Sequence, residues 1–214
     1  MTRRHLFIVF EGLDGAGTTT QSKRLHHSFT SNGAPSFATF EPTAGPVGEF
    51  IRSILTGAQH DADNGTLRPS ENAMALLFAA DRLAHSDVIT RQQRAGHVVC
   101  DRYIFSSMAY QSLDDSISPE RVIELNRGCA IPDLTVFLSV PADVCLARIT
   151  GRGEGETIYE KREHLLKIAE NYDRLLPLYR KHFGDTVTID GTMSPDAVHA
   201  AVMDEMENRG VGTR

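Results

Sequence analysis

Residues 12–19 read Gly12-Leu-Asp-Gly-Ala-Gly-Thr-Thr19. Glycines at 12 and 17 followed by a hydroxyl residue at 19 have the spacing of the phosphate-binding loop G-x-x-x-x-G-K-[ST]. Gly12, Gly15 and Gly17 let the backbone turn its N–H groups inward, and a helix beginning at the loop's end adds positive potential. In this reading the amides of Gly12, Leu13, Asp14, Gly15, Ala16, Gly17, Thr18 and Thr19 hold ATP, and the Thr19 hydroxyl takes the Mg²⁺ position. Thr18 stands where a lysine normally reaches the β- and γ-phosphates. Losing one preorganised charge-stabilising group typically costs about 3–4 kcal/mol in the transition state, so another cation must act in its place. The plainer alternative is a tight glycine turn with Thr18, Thr19 and Thr20 capping a helix.

Other residues are spaced for chemistry as well. Asp101-Arg102-Tyr103 follows an apolar run, His97-Val-Val-Cys100. A carboxylate at a strand end is well placed to hold Mg²⁺ through water, and the adjacent Arg102 can clamp phosphate oxygens with its fork of donors. A surface ion pair at a strand end is the alternative. Phe78 and Arg82 are four residues apart and share a helical face, where a ring can stack on a base while a guanidinium donates to a carbonyl oxygen. They would equally suit a core Phe with a solvent-exposed Arg. Ser107, Tyr110 and Gln111 lie at i, i+3 and i+4, again on one face.

The elements that must carry these residues alternate. Runs at 6–10, 36–40, 97–100, 134–139 and 186–190 are short, β-rich and apolar where buried on both faces. Helical patterns fall near 18–32, 46–56, 71–95, 105–113, 118–128, 142–150, 159–182 and 194–208. Such alternation predicts an α/β fold, a five-stranded parallel sheet with helices on both faces, and ligand sites at the carboxyl ends of the strands. A single domain is expected over 1–214, with a mobile lid at about 148–159 around the glycine-rich Gly151-Arg-Gly-Glu-Gly-Glu-Thr157. The loop Glu41-Pro-Thr-Ala-Gly-Pro46 follows the second strand, and Glu41 there is read as orienting its neighbours.

Bulk properties narrow the class. The net charge is −6, from 22 basic and 28 acidic residues, without a long run of one sign, so a basic face for nucleic acid is not expected. The three cysteines are far apart and include no C-x-x-C pair, and the nine histidines lack metal-ligand spacing. Only Leu6 to Phe10 follows the basic N-terminus before Glu11, too short for a signal core or a membrane span, so a cytoplasmic location and no membrane partner are expected.

In order along the chain, Glu11-Gly-Leu-Asp-Gly-Ala-Gly17, Glu41-Pro42, Leu77-Phe-Ala-Ala-Asp-Arg82, Asp101-Arg-Tyr103, Ser106-Ser-Met-Ala-Tyr-Gln111, Pro132-Asp-Leu-Thr135 and an arginine-bearing stretch from Arg148 to Tyr159 resemble the thymidylate kinases among the P-loop nucleoside monophosphate kinases. The pieces are short, but together they span residues 6 to 180. The resemblance implies a P-loop NTPase fold, ATP and Mg²⁺ as cofactors, dTMP as acceptor, and homodimers. It implies that Phe78 stacks on thymine, Arg82 reaches its O4, Ser107 contacts the base edge and Tyr110 packs where a ribose 2′-hydroxyl would sit. It also implies that Arg52 and Arg102 hold the acceptor phosphate, that Asp14 lies inside the glycine turn, and that Arg148 and Arg152 act as lid cations. Tyr110 as a core residue and Arg52 as an exposed helical one remain open. Thr157 occupies a place where some relatives carry another arginine; Lys161 and Arg162 are further candidates, or simply a charged helical face.

The expected reaction needs no strong base, because a phosphate monoester is already largely dianionic near neutral pH. Catalysis reduces to aligning two anions, neutralising their repulsion and excluding water. Two rivals remain: a kinase for another pyrimidine monophosphate or a deoxynucleoside, and a nucleotide-binding sensor that lost catalysis with the lysine.

Overall fold

The computed structural model describes residues 5–113, 116–150 and 156–211, with the side chains of 156–160 excepted. The chain begins with β1 (Phe7–Gly12), α1 (Thr18–Ser31), β2 (Ser36–Phe40), α2 (Pro46–Leu55) and α3 (Glu71–Gln93). It continues through β3 (His97–Asp101), α4 (Ile104–Gln111), α5 (Pro119–Leu125), β4 (Leu134–Ser139) and α6 (Ala142–Thr150). It closes with α7 (Glu156–Phe183), β5 (Thr186–Asp190) and α8 (Pro195–Asn208).

All strand pairs are parallel, in the order β2-β3-β1-β4-β5. The central strand β1 is buried along its whole length, which is why Phe7-Ile-Val-Phe10 reads as a continuous apolar run. From β1 the chain crosses one way to β2 and then returns past β3 to β4 and β5. With right-handed crossovers this puts helices on both faces. Accordingly α1 packs on α8, while α4 packs on α3, α5 and α7. The reversal of direction opens a crevice beyond the carboxyl ends of β1 and β3, the place where such sheets bind ligands.

Caps fix the helices at that end. Gly17, in the left-handed region at φ 102°, turns the chain into α1. Gly15, at φ 83°, lies so close to α6 that a Cβ would sit 2.7 Å from the Cys145 carbonyl oxygen. Each of those two glycines is therefore required by shape. Ser70, Ser118 and Ser194 cap α3, α5 and α8 with their hydroxyls. No helix among the described residues is long and apolar enough to cross a membrane.

Candidate active site

Two cavities meet in the crevice. The first, of about 630 Å³, is lined by the glycine loop from Asp14 to the start of α1, by Asp101 and Arg102, and on its far side by Arg148, Gly191, Met193 and Val198. The first residues of α1 line this cavity, and the opening N–H groups of a helix, which lack intrahelical partners, suit an anion there. There the Thr19 hydroxyl donates to Asp101 Oδ2 at 2.5 Å, while Asp101 Oδ1 is buried with no hydrogen-bond partner among the described residues. A hydroxyl beside a carboxylate with an unsatisfied oxygen, at a phosphate loop, fits a hard divalent cation such as Mg²⁺. Thr18 itself is buried.

The second cavity, of about 370 Å³, lies under α3 and α4 and is lined by Leu55, Phe78, Arg82, Ser107, Tyr110 and Gln111, together with Glu41. Arg82 is only 1% exposed, so an exposed helical arginine is not what forms here. Its Nε donates to Glu41 Oε2 at 2.7 Å, Nη1 to Asn126 Oδ1 at 2.6 Å, and Nη2 to Ser107 Oγ at 2.9 Å and the Tyr103 carbonyl at 3.3 Å. Burial works against its charge most strongly, but Glu41, Tyr103 and Cys129 together more than offset it and the pKa rises. Glu41 Oε1 lies 3.0 Å from His85 Nδ1, and Asp81 holds the same loop through the Thr43 N–H and hydroxyl at 2.7 and 2.6 Å. The guanidinium is thus locked before any ligand arrives. Among the described residues Gln111 Oε1 is buried without a partner, leaving one acceptor in a residue that lines the same cavity. Burial raises the Tyr110 phenol well above its ordinary pKa, with Arg102 opposing, so it stays neutral.

Both cavities share Asp14 and Arg102. Arg102 Nη2 meets Asp14 Oδ1 at 2.8 Å, and Nη1 faces the Tyr172 hydroxyl at 3.4 Å. Burial opposes the Arg102 charge, but Tyr172, Tyr110, Asp14 and Glu11 more than offset it, so the pKa rises and the cation is permanent. A phosphate-loop cavity and a more apolar cavity thus meet at Asp14 and Arg102.

The comparisons agree with that geometry. Residues 10–202 match the family model described as thymidylate kinase. The chain belongs to the thymidylate kinase family. Among curated relatives, a probable thymidylate kinase of Methanocaldococcus jannaschii is 37% identical over 205 residues, covering 95% of this chain and 97% of its own length. A probable thymidylate kinase of Methanococcus maripaludis is 39% identical, covering 79% and 77%. A thymidylate kinase of Leptospira borgpetersenii is 34% identical, covering 90% and 89%. Family membership makes the fold a P-loop NTPase fold and the chain a kinase.

The expected site residues are not all where the sequence reading put them. Gly12 to Thr19, Asp101, Arg102, Glu41, Phe78, Arg82, Ser107, Tyr110 and Gln111 gather at the two cavities or in the loop between them. Arg52 does not line either cavity. Its Nη1 donates to the Pro42 carbonyl at 2.6 Å and its guanidinium lies 5.8 Å from the Phe40 ring centre, because α2 carries it behind the 41–46 loop. Arg148, on α6, lines the first cavity. It donates to the carbonyls of Gly15 at 3.2 Å, Ala16 at 3.4 Å and Gly191 at 2.9 Å, as part of the far wall. Arg152 lies outside the described residues, as do the lid centre and the Thr157 side chain. Arg162 pairs with Asp143 on α6, at 2.6 and 3.0 Å. The sequence reading missed Asn126, Asp81 and His85, which brace Arg82 and Glu41, and gave no role to the buried Glu11. A carboxylate closing an apolar strand was the one signal available for Glu11; the others became visible only through contacts 38 to 44 residues apart.

Proposed function

We propose that this chain transfers the γ-phosphoryl group of ATP to dTMP, giving ADP and dTDP. The observation that carries the reading is the wall common to both cavities, where Arg102 can neutralise donor and acceptor phosphates at once. The loop amides bind the triphosphate, and Thr19 with Asp101 would hold Mg²⁺, which supplies charge neutralisation at the phosphates. The acceptor dianion attacks without a base, so proximity and charge neutralisation supply the catalysis.

Base choice follows from the second cavity. The four contacts of the Arg82 fork leave one Nη1–H uncommitted, and Gln111 Oε1 lacks a donor. A donor and an acceptor lining one cavity suit the O4 and N3–H of thymine; cytosine presents the opposite pair at those positions. Phe78 and Tyr110 line the same cavity, and in this reading Phe78 stacks on the ring and Tyr110 closes the space where a 2′-hydroxyl would lie. Arg52 spends one of its five donors on the Pro42 carbonyl, and in this reading the others meet the acceptor phosphate. A cytoplasmic homodimer belongs to the same reading; Leu76 and Leu83, one heptad apart and half exposed on α3, offer an apolar stripe for a second copy.

An ADP-release assay across dTMP, dUMP, dCMP and thymidine tests the proposal. The highest kcat/KM is expected with dTMP. A preference for dCMP or for thymidine would replace the acceptor, and ATP binding without turnover on any of them would favour the sensor.

A further inference from the structure

Glu11 is the fifth residue of β1 and is completely buried. Its Oε1 accepts the Tyr103 N–H at 2.9 Å and the Ser106 N–H at 3.1 Å, and its Oε2 accepts the Ser106 hydroxyl at 2.5 Å. The Tyr172 hydroxyl stands 3.5 Å from the same Oε2 and 3.4 Å from Arg102 Nη1. Burial raises the Glu11 pKa, while Arg102 and the donors from Ser106 and Tyr103 pull the other way.

These contacts bracket one residue. Arg102 adopts φ 70°, in the left-handed region where a side chain other than glycine is strained. Its own N–H donates to the Phe10 carbonyl at 2.9 Å, and the next N–H, that of Tyr103, donates to Glu11. Two successive residues of the central strand therefore grip the chain on either side of Arg102. Helix α4 starts immediately afterwards, and its N-cap, Tyr103, has no side-chain cap of its own; Glu11 supplies that acceptor from the neighbouring strand. If only a turn were needed, glycine at 102 would make it without strain. Keeping an arginine in this conformation aims its guanidinium at the wall between the cavities, onto Asp14.

We infer that Glu11 is a positioning residue that holds Arg102 in its strained turn and sets the guanidinium between donor and acceptor phosphates. The inference rests on the proposed role of Arg102 in phosphoryl transfer. Three variants test it: Glu11→Gln, Arg102→Ala and the double variant, each assayed for kcat and for KM of both substrates, with the melting shift given by a non-hydrolysable ATP analogue as a binding control. Glu11→Gln removes the charge from the acceptor of the Tyr103 and Ser106 N–H groups and puts an amide N–H₂ in place of one carboxylate oxygen, which weakens the grip on the turn. It is expected to lower kcat by about 10- to 100-fold, the scale of a misplaced reacting group, with both KM values and the analogue-induced shift little changed. The double variant should be no slower than Arg102→Ala, since residues acting as one unit are non-additive. Multiplying losses, or a Glu11→Gln enzyme with normal kcat while Arg102→Ala is crippled, would overturn the inference and leave the role of Arg102 standing. A harmless Arg102→Ala would remove that role and the inference with it. Should Glu11→Gln fail to fold, Glu11→Asp keeps the charge but draws the carboxylate back from the Tyr103 and Ser106 donors; a smaller kcat loss, again absent on the Arg102→Ala background, is expected, and an unchanged kcat would refute the inference.

Discussion

Arg82→Lys separates the recognition of the acceptor from that of ATP. The substitution keeps a positive charge beside Glu41, so the buried pair, whose arginine is 1% exposed, is not left with an uncompensated carboxylate. What it removes is the fork. Arginine spreads donors over Glu41, Asn126, Ser107 and the Tyr103 carbonyl at 2.6–3.3 Å, with one N–H remaining for a base oxygen. An ammonium has three donors on a single atom and cannot meet those acceptors and the base together. The lost interaction is one hydrogen bond from a charged donor in a dry pocket, about 1.5–3 kcal/mol. At about 1.4 kcal/mol per factor of ten this is roughly 10- to 150-fold in kcat/KM for dTMP. A coupled ADP-release assay, varying each substrate against saturating partner, reads it directly. The KM for dTMP should rise, the preference for dTMP over dCMP should shrink, and the KM for ATP should stay within about twofold. A raised KM for ATP with an unaltered one for dTMP would mean that the second cavity does not hold the acceptor.

Three further outcomes follow from the site. Asp101→Asn removes the carboxylate oxygen left without a partner and should cut activity by about 10- to 100-fold while shifting the Mg²⁺ titration to higher concentration; an unchanged Mg²⁺ dependence would place the cation elsewhere. Thr18→Lys should leave kcat unchanged or lower if Arg102, a permanent cation, takes the proposed role at the phosphates; a gain of about tenfold or more, about 1.4 kcal/mol, would show that the missing charge had not been replaced. Burial pushes the Cys145 thiol up to about 11 and raises Cys100 and Cys129 as well. Near pH 8 about one Cys145 in a thousand is then thiolate, so the folded protein should react slowly with a disulfide reagent. A raised acid pKa contributes stability that is complete below the ordinary thiol value and is lost as pH rises from about 9 towards 11; rapid labelling of all thiols at neutral pH in the folded state would contradict the burial.

The scaffold was legible because its strands are buried on both faces and therefore announce themselves as apolar runs, and because serines and glycines mark the helix ends. Where a boundary moved, the reason is local. Strand β1 continues to Gly12 rather than stopping at Phe10, since Glu11 can be buried once Tyr103 and Ser106 supply donors. Helix α7 starts at Glu156 rather than 159. The two cavities were legible in their residue types through helical spacing, with Phe78 and Arg82 on α3 and Ser107, Tyr110 and Gln111 on α4. What spacing does not encode is how a long cation is spent. Arg82 is satisfied by partners 41 and 44 residues distant, Arg148 by loop carbonyls up to 133 residues away, and Arg52 by the Pro42 carbonyl. Each of those contacts is set by the topology of the sheet rather than by the neighbouring sequence.

The central claim is that a phosphate loop lacking its lysine still delivers a phosphoryl group to a thymidylate held on the other side of Arg102. The direct test is to mix the protein with ATP labelled in its γ-phosphate, Mg²⁺ and dTMP, and to separate the products by chromatography. Label moving into dTDP, and only slowly into inorganic phosphate, is the predicted result. ATP that binds but passes no label to dTMP, or passes it chiefly to water, would contradict the account.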